Sequence, residues 1–220
     1  YVEDDGVTFT VDTPGFRTAA ERLIRWHEDG LMPPEIWGGA AGQFSPANEY
    51  FTRGEVIFYL SGSWQVGQFT QNITNGENPF DWQVIPNPTD VNGSTGIPGG
   101  AVLVAFQNSQ HPEEVGRLMD FLAAEENLKE FYEQALFLPG HLGLAEAGLD
   151  YPVSSEALGV FVAEIPKLSD QAYALQYNPF TSVLNGSIRD RLSQVLAGEL
   201  TLDEAIQAIQ QDIDTRVAEG

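Results

Sequence analysis

Apolar and polar positions alternate over residues 7–11 around Phe9, which predicts a short strand, and the turn Asp12-Thr-Pro-Gly15 closes it. Thr13 is placed to cap a helix with Pro14 at its first position. Phe16, Ala20, Leu23 and His27 then recur at helical spacing until Gly30 ends the run. His27 on that stripe reads as a core or capping residue rather than a metal ligand. Residues 33–48 are rich in Gly and Pro and predict a loop. Three further runs are strand-like: Val56-Ile-Phe-Tyr-Leu60, Phe80-Asp-Trp-Gln-Val-Ile85 and Ala101-Val-Leu-Val-Ala-Phe106. The last is apolar throughout, so burial on both faces is expected. Between the first two, a helix starting near Trp64 should fade into the polar stretch 70–79.

Beyond residue 106 the pattern is helical. Ser109 is the expected cap of a helix whose first turn holds Pro112-Glu-Glu114 and whose apolar face is Val115, Leu118, Met119 and Leu122. A helix over 125–136 follows, broken by Leu138-Pro-Gly-His141, and others are expected at 155–163, 166–173, 181–197 and 201–218. The final one opens with a capping box, Thr201-Leu-Asp-Glu204, and aligns Ala205, Ile206, Ile209 and Ile213 on one face. Few strands, each followed by a helix, predict an α/β chain. Segment 86–98, with three prolines and two glycines, is the clearest linker or crossing segment.

Composition narrows the chemistry. The 220 residues carry 32 acidic and 10 basic side chains, a formal net charge of −22, which repels phosphate backbones and anionic lipid. A nucleic-acid role is therefore not expected. With no cysteine there is no disulfide, thiolate metal site or cysteine nucleophile. The three histidines lie far apart at 27, 111 and 141, so no metal site and no cofactor is expected. Nucleophile-elbow, P-loop and dinucleotide motifs are missing too. The acidic pairs Glu113-Glu114, Glu125-Glu126 and Asp203-Glu204 sit at helix starts, where they offset the macrodipole. What stands out is Trp64 at the mouth of the turn Ser61-Gly-Ser63. An indole there can stack on the C–H face of a sugar ring while neighbouring hydroxyl and backbone groups bond the rim; filling the local core is the equally weighted alternative. Gly99-Gly100 allows either a tight turn or close approach of a ligand to backbone.

In order along the chain, these features resemble a family. Phe51-Thr-Arg-Gly-Glu-Val-Ile-Phe-Tyr-Leu-Ser-Gly-Ser-Trp64 is similar to the "F-x-x-G-x-x-A-M-x-x-x-G-x-W" segment of bacterial extracellular solute-binding proteins, the carbohydrate-type (maltose-binding-protein-like) receptors of ABC importers. Glu28-Asp-Gly-Leu-Met-Pro33, Phe80-Asp-Trp-Gln-Val-Ile-Pro86, Gly99-Gly-Ala-Val-Leu-Val-Ala105, Asn108-Ser-Gln-His-Pro-Glu-Glu114 and Leu138-Pro139 follow the family pattern in sequence. Leu196-Ala-Gly-Glu-Leu-Thr-Leu-Asp-Glu-Ala205 resembles its C-terminal signature. The resemblance implies a type II periplasmic-binding-protein-like fold of two α/β lobes that close by hinge bending, of which this chain is the C-terminal half, lacking the first part of the N-terminal lobe. On that pattern residues 1–85 and 142–220 form the C-terminal lobe, 99–137 return to the N-terminal lobe, and 86–98 and 138–141 are crossing segments.

The resemblance also implies a non-enzymatic role: an extracytoplasmic receptor, periplasmic or anchored as a cell-surface lipoprotein. It would be monomeric and deliver a sugar or oligosaccharide to an ABC transporter membrane permease. Trp64 matches the tryptophan that stacks on sugar, Gly99 and Gly100 match backbone facing the cleft, and Ser63 flanks the tryptophan. Asn185, followed by Gly186, stands where relatives place an aromatic or polar contact, which favours hydrogen bonding there over a second stacking wall. Trp37, Tyr177 and Asn178 are further candidates from flanking loops. Two alternatives remain open at this point. One is a receptor for a polyamine or other cationic solute, which suits the acidity. The other is a secreted carbohydrate-active enzyme, which needs two carboxylates facing each other across a cleft.

Overall fold

The computed structural model describes residues 2–3, 5–36, 47–89 and 96–220. It is mostly helical and divides into two compact units, residues 1–59 with 173–220, and residues 60–172.

The first unit is built on three helices. Helix α1 (Pro14–Glu28) starts as expected, with the Thr13 hydroxyl accepting from Phe16 N–H at 3.1 Å and proline in the first turn. Helices α9 (Thr181–Leu196) and α10 (Leu202–Glu219) pack against each other. The buried residues Phe16, Ala20, Leu184, Leu192, Ile206, Ile209 and Ile213 fill the space between the three, joined by Phe9 and Val11. Each valine, leucine, isoleucine or phenylalanine side chain among them contributes about 1.5–3 kcal/mol of transfer free energy when fully buried. The capping box of α10 is complete: Glu204 N–H donates to Thr201 Oγ1 at 3.2 Å, and Thr201 N–H donates to Glu204 Oε2 at 2.8 Å. Polar groups fix the register of the helices. Asp212 on α10 accepts from Ser187 Oγ at 2.6 Å and from Arg191 Nη2 at 3.1 Å, both on α9. Arg17 on α1 spans Asp12 and Asp203, at 2.5 and 2.7 Å, and so ties the start of α1 to the start of α10. Helix α2 (Ala47–Thr52) also belongs to this unit.

The second unit has a smaller core of Val66, Leu136 and Leu158, against which Trp82, Leu138, Tyr151 and Phe161 pack. Its helices are α3 (Val66–Phe69), α4 (Pro112–Ala123), α5 (Glu125–Ala135), α6 (Leu142–Ala147) and α7 (Ser155–Glu164). Helix α8 (Asp170–Tyr177) spans the point in the sequence, between residues 172 and 173, at which the chain passes from the second unit to the first.

The expected strands are where the structure departs from the sequence pattern. Among the described residues the sole pairing outside helices is one antiparallel bridge, Val2 to Phe9. Runs 56–60, 80–85 and 101–106 form no ladder there, and 101–106 is exposed rather than buried on both faces, Val102 to 84% and Phe106 to 73%. A β-branched, apolar run states only that a segment suits a sheet; the hydrogen bonds must come from another segment. Segment 7–11 shows the point. Its other edge is satisfied by a side chain, since the Gln210 amide accepts from Val11 N–H at 3.0 Å and donates to the Phe9 carbonyl at 2.9 Å.

Three helix boundaries also move. Helix α4 begins at Pro112 with His111 before it, and Ser109 instead accepts from His111 N–H at 3.2 Å, two residues too early to cap. The helix expected at 166–173 starts at Asp170, because Pro166 closes a separate 3₁₀ turn over Ile165–Lys167. The helix expected to fade at residue 70 continues. A 3₁₀ turn (Ser63–Gln65) runs into α3 and then into a π-helical turn (Thr70–Thr74), held on its inner side by buried Val66, Phe69, Thr70 and Ile73.

Candidate functional site

Trp64 lies in the 3₁₀ turn just ahead of α3 and is 54% exposed, so it does not fill the core. Its six-membered ring rests against glycine backbone. A Cβ added at Gly62 would stand 2.1 Å from Trp64 Cζ3, and one added at Gly99 would stand 3.2 Å from the same atom. Carbon atoms at rest are about 3.5–4.0 Å apart, so only glycine at 62 allows this ring position. The structure thus brings together Trp64, its neighbour Ser63 and Gly99, with Gly62 as a seat that the sequence pattern did not single out. Gly100 has open space where a side chain would be.

Beside Trp64 the second unit opens into a groove of about 600 Å³. One wall is the outward face of the helical stretch after Trp64, carrying Gln68, Gln71, Asn72 and Asn75. The opposite wall comes from the end of α5 and the segment after it, with Gln134 and Phe137, and from Pro152 and Val153. Two hydrogen bonds pin the walls. Thr70 Oγ1 and Ser154 Oγ lie 2.7 Å apart, and Tyr151 Oη donates to the Phe137 carbonyl at 2.7 Å. Partial burial, reinforced by the nearby Glu133 carboxylate, pushes the Tyr151 phenol above its ordinary pKa, so it stays a donor at neutral pH. Leu136, which caps the end of α5 on this wall, takes a left-handed conformation (φ 57°) with its side chain buried in the core. Among the described residues, none that lines it is Asp, Glu, Lys, Arg or His.

The amides on this groove escaped the sequence reading, which treated 70–79 as a polar fade. A signal was present: positions 64, 68, 71, 72 and 75 recur at helical spacing opposite Val66, Phe69 and Ile73. The remaining candidates sit in the first unit. Asn185 is exposed on α9, and Tyr177 is 79% exposed at the end of α8. Asn178 is engaged by the fold, its Nδ2 donating to the Gly6 carbonyl at 2.7 Å and its Oδ1 accepting from Phe180 N–H at 2.9 Å. Trp37 lies outside the described residues. His27 occupies the last turn of α1, partly buried, and no cluster of His, Asp and Glu among the described residues could hold a metal ion.

An exposed aromatic thus rests on a glycine seat beside a polar groove. Residues 1–129 match the profile of the family described as "Bacterial extracellular solute-binding protein". The chain belongs to this family. Proteins of Brucella abortus and Brucella suis, each named a "Putative binding protein", are 28% identical to it over 160 residues, or 72% of this chain and 37% of theirs. The chain therefore spans a little over a third of the length of these curated relatives. Its fold is similar to that of the sugar-binding protein MalE from the phytopathogen Xanthomonas citri, with a TM-score of 0.67 and 23% identity, covering 99% of this chain and 52% of that one. At that identity the likeness establishes a periplasmic-binding-protein-like fold. The family places the protein outside the cytoplasm, and among the described residues no helix is long and apolar enough to cross a membrane.

Proposed function

We propose that the protein is the ligand-binding part of an extracytoplasmic receptor that takes up a sugar or oligosaccharide and presents it to an ABC transporter permease. The observation that carries this reading is the half-exposed Trp64 ring seated on Gly62 and Gly99 beside a groove lined by amides. A sugar ring has an apolar C–H face for an indole and a rim of hydroxyls, each both donor and acceptor, which amides match in kind. In this reading Trp64 stacks and Ser63 and the backbone at Gly99 and Gly100 bond the rim; Asn185 and Tyr177, exposed on the first unit, are further proposed ligand contacts. Asn178 acts indirectly, by fixing the loop before α9. Residues 1–85 with 142–220 and residues 99–137 are assigned to the two lobes, joined through 86–98 and 138–141. The mature protein works as a monomer in the periplasm or as a surface lipoprotein.

A cationic ligand such as a polyamine finds no carboxylate among the described residues of this groove. The reading is of binding without turnover; a carbohydrate-active enzyme would need two carboxylates facing each other across a cleft. The test is a thermal-shift screen of neutral sugars and polyamines on the full-length protein, with Trp64→Ala alongside. A bound sugar raises the melting temperature by mass action, and Trp64→Ala should weaken binding by about 0.5–1.5 kcal/mol beyond the lost contact area. Stabilisation by polyamines alone, or release of chromophore from a nitrophenyl glycoside, overturns the reading.

A further inference from the structure

We infer that Asn75 is a site of spontaneous deamidation, where the backbone nitrogen of Gly76 displaces the Asn75 side-chain amide and leaves an aspartyl or isoaspartyl residue at the end of the helical stretch 63–74. This is a covalent change in the chain and stands whether or not the sugar reading holds.

Three observations support it. The first is the pair itself. A Cβ added at Gly76 would stand 1.9 Å from the Asn72 carbonyl oxygen and 2.6 Å from its carbon, both backbone atoms. The fold thus requires glycine directly after Asn75, and glycine leaves the attacking nitrogen unshielded. Second is the freedom of both reacting groups. Asn75 is exposed, and among the described residues its side chain and the Gly76 N–H have no hydrogen-bond partner. Ring closure needs rotation about the Cα–C bond of Asn75, whose ψ is 2°, to bring the Gly76 nitrogen round to the side-chain carbon. That rotation swings residues 76–79, which lie outside any helix and make no backbone hydrogen bond among the described residues. The bond from Asn75 N–H to the Thr70 carbonyl, 3.2 Å, lies before the rotating bond and is kept. Third, another Asn-Gly pair supplies a contrast. Asn185 and Gly186 lie inside α9, where the same rotation would break the helix ladder. The pair at 92–93 lies outside the described residues.

In the reaction the Gly76 nitrogen bonds to Asn75 Cγ, the Cγ–Nδ2 bond breaks, and ammonia leaves with the Gly76 amide proton. Nothing is oxidised or reduced. Water then opens the cyclic imide at either carbonyl. Attack at Cγ gives aspartate; attack at the main-chain carbon gives isoaspartate, with the chain running through Cβ and Cγ. Either product sets a carboxylate at the C-terminal end of the helical stretch, where the backbone already presents partial negative charge, so the turn is weakened.

The test incubates the full-length protein in mildly alkaline buffer and follows amide-to-acid conversion at each Asn-Gly pair by peptide mass spectrometry. Conversion at Asn75 should run about tenfold or more ahead of Asn185, because helix opening must precede reaction at 185. In denaturing urea the two rates should converge. Asn75→Gln, whose longer side chain closes its ring far more slowly, should abolish the acidic form of that peptide. Asn75→Asp should melt below the parent, by a margin that shrinks at high salt. Conversion at Asn75 no faster than at Asn185 in the folded protein, or an unchanged gap between them in urea, overturns the site. An Asn75→Asp variant that melts with the parent overturns the weakening of the turn.

Discussion

Replacing Gly62 by alanine isolates what holds Trp64 in place. Gly62 has φ −126° and ψ 176°, ordinary extended backbone, so alanine is conformationally allowed and the effect must come from its methyl group. That methyl would stand 2.1, 2.4 and 2.5 Å from Cζ3, Cη2 and Cε3 of Trp64. Restoring normal contact requires the ring to withdraw by about 1.4 Å. The same substitution at Gly99 starts from 3.2 Å and asks for about 0.3 Å, and at Gly100 nothing lies within 4 Å. Keeping the ring in place against the Gly62 methyl would cost about 1–3 kcal/mol, so the half-exposed indole swings away instead. Sugar affinity should then fall by about 2–12-fold, the stacking share of about 0.5–1.5 kcal/mol. The variants should rank Gly62→Ala first, Gly99→Ala a weak second and Gly100→Ala last. The assay is ¹⁹F NMR of fluorotryptophan-labelled protein, with Trp64→Phe assigning its resonance among the four tryptophans. An unmoved Trp64 resonance in Gly62→Ala, or an equal shift in Gly100→Ala, would refute the seat.

Other perturbations test the scaffold. Ile209→Ala or Ile213→Ala empties a fully buried site among α1, α9 and α10 and should cost about 2–5 kcal/mol in denaturant titration. Leu158→Ala should cost a similar amount, with hydrogen-exchange protection lost first within residues 60–172. Thr201→Ala removes the cap of α10 and should cost about 1 kcal/mol. Glu204 is held below its ordinary carboxylate pKa by hydrogen bonds from the Thr201 backbone and hydroxyl, and Asp12 by its bond to Arg17. A depressed folded-state pKa contributes stability that is full above the unfolded-state value and is lost as pH falls through the folded one. Acid titration should therefore destabilise the protein below the ordinary carboxylate range, and less steeply in Thr201→Ala; an identical pH slope in both would count against the cap.

The sequence by itself determined the helices. A helix closes its hydrogen bonds within the segment, so Thr13-Pro14 and Thr201-Glu204 announce their own starts, and the stripe Ala205, Ile206, Ile209 and Ile213 announces its buried face. It also marked Trp64 and Gly99 as separate points of interest, and the family through motifs in order. Where bonds must come from elsewhere in the chain, local pattern was insufficient. Segment 7–11 reads as a strand, but it is Gln210, far along the sequence on α10, that satisfies Phe9 and Val11. Runs 56–60 and 101–106 read as strands and stand without a ladder among the described residues, because pairing belongs to two segments and a sequence pattern describes one. The site divides the same way. Spacing alone could have placed Gln68, Gln71 and Asn72 on one face with Trp64. Only the tertiary structure set Gly62 and Gly99 under the indole and brought Gln134, Phe137 and Val153 opposite the amides, since those distances depend on how α5 and the segment before α7 pack around Val66, Leu136 and Leu158.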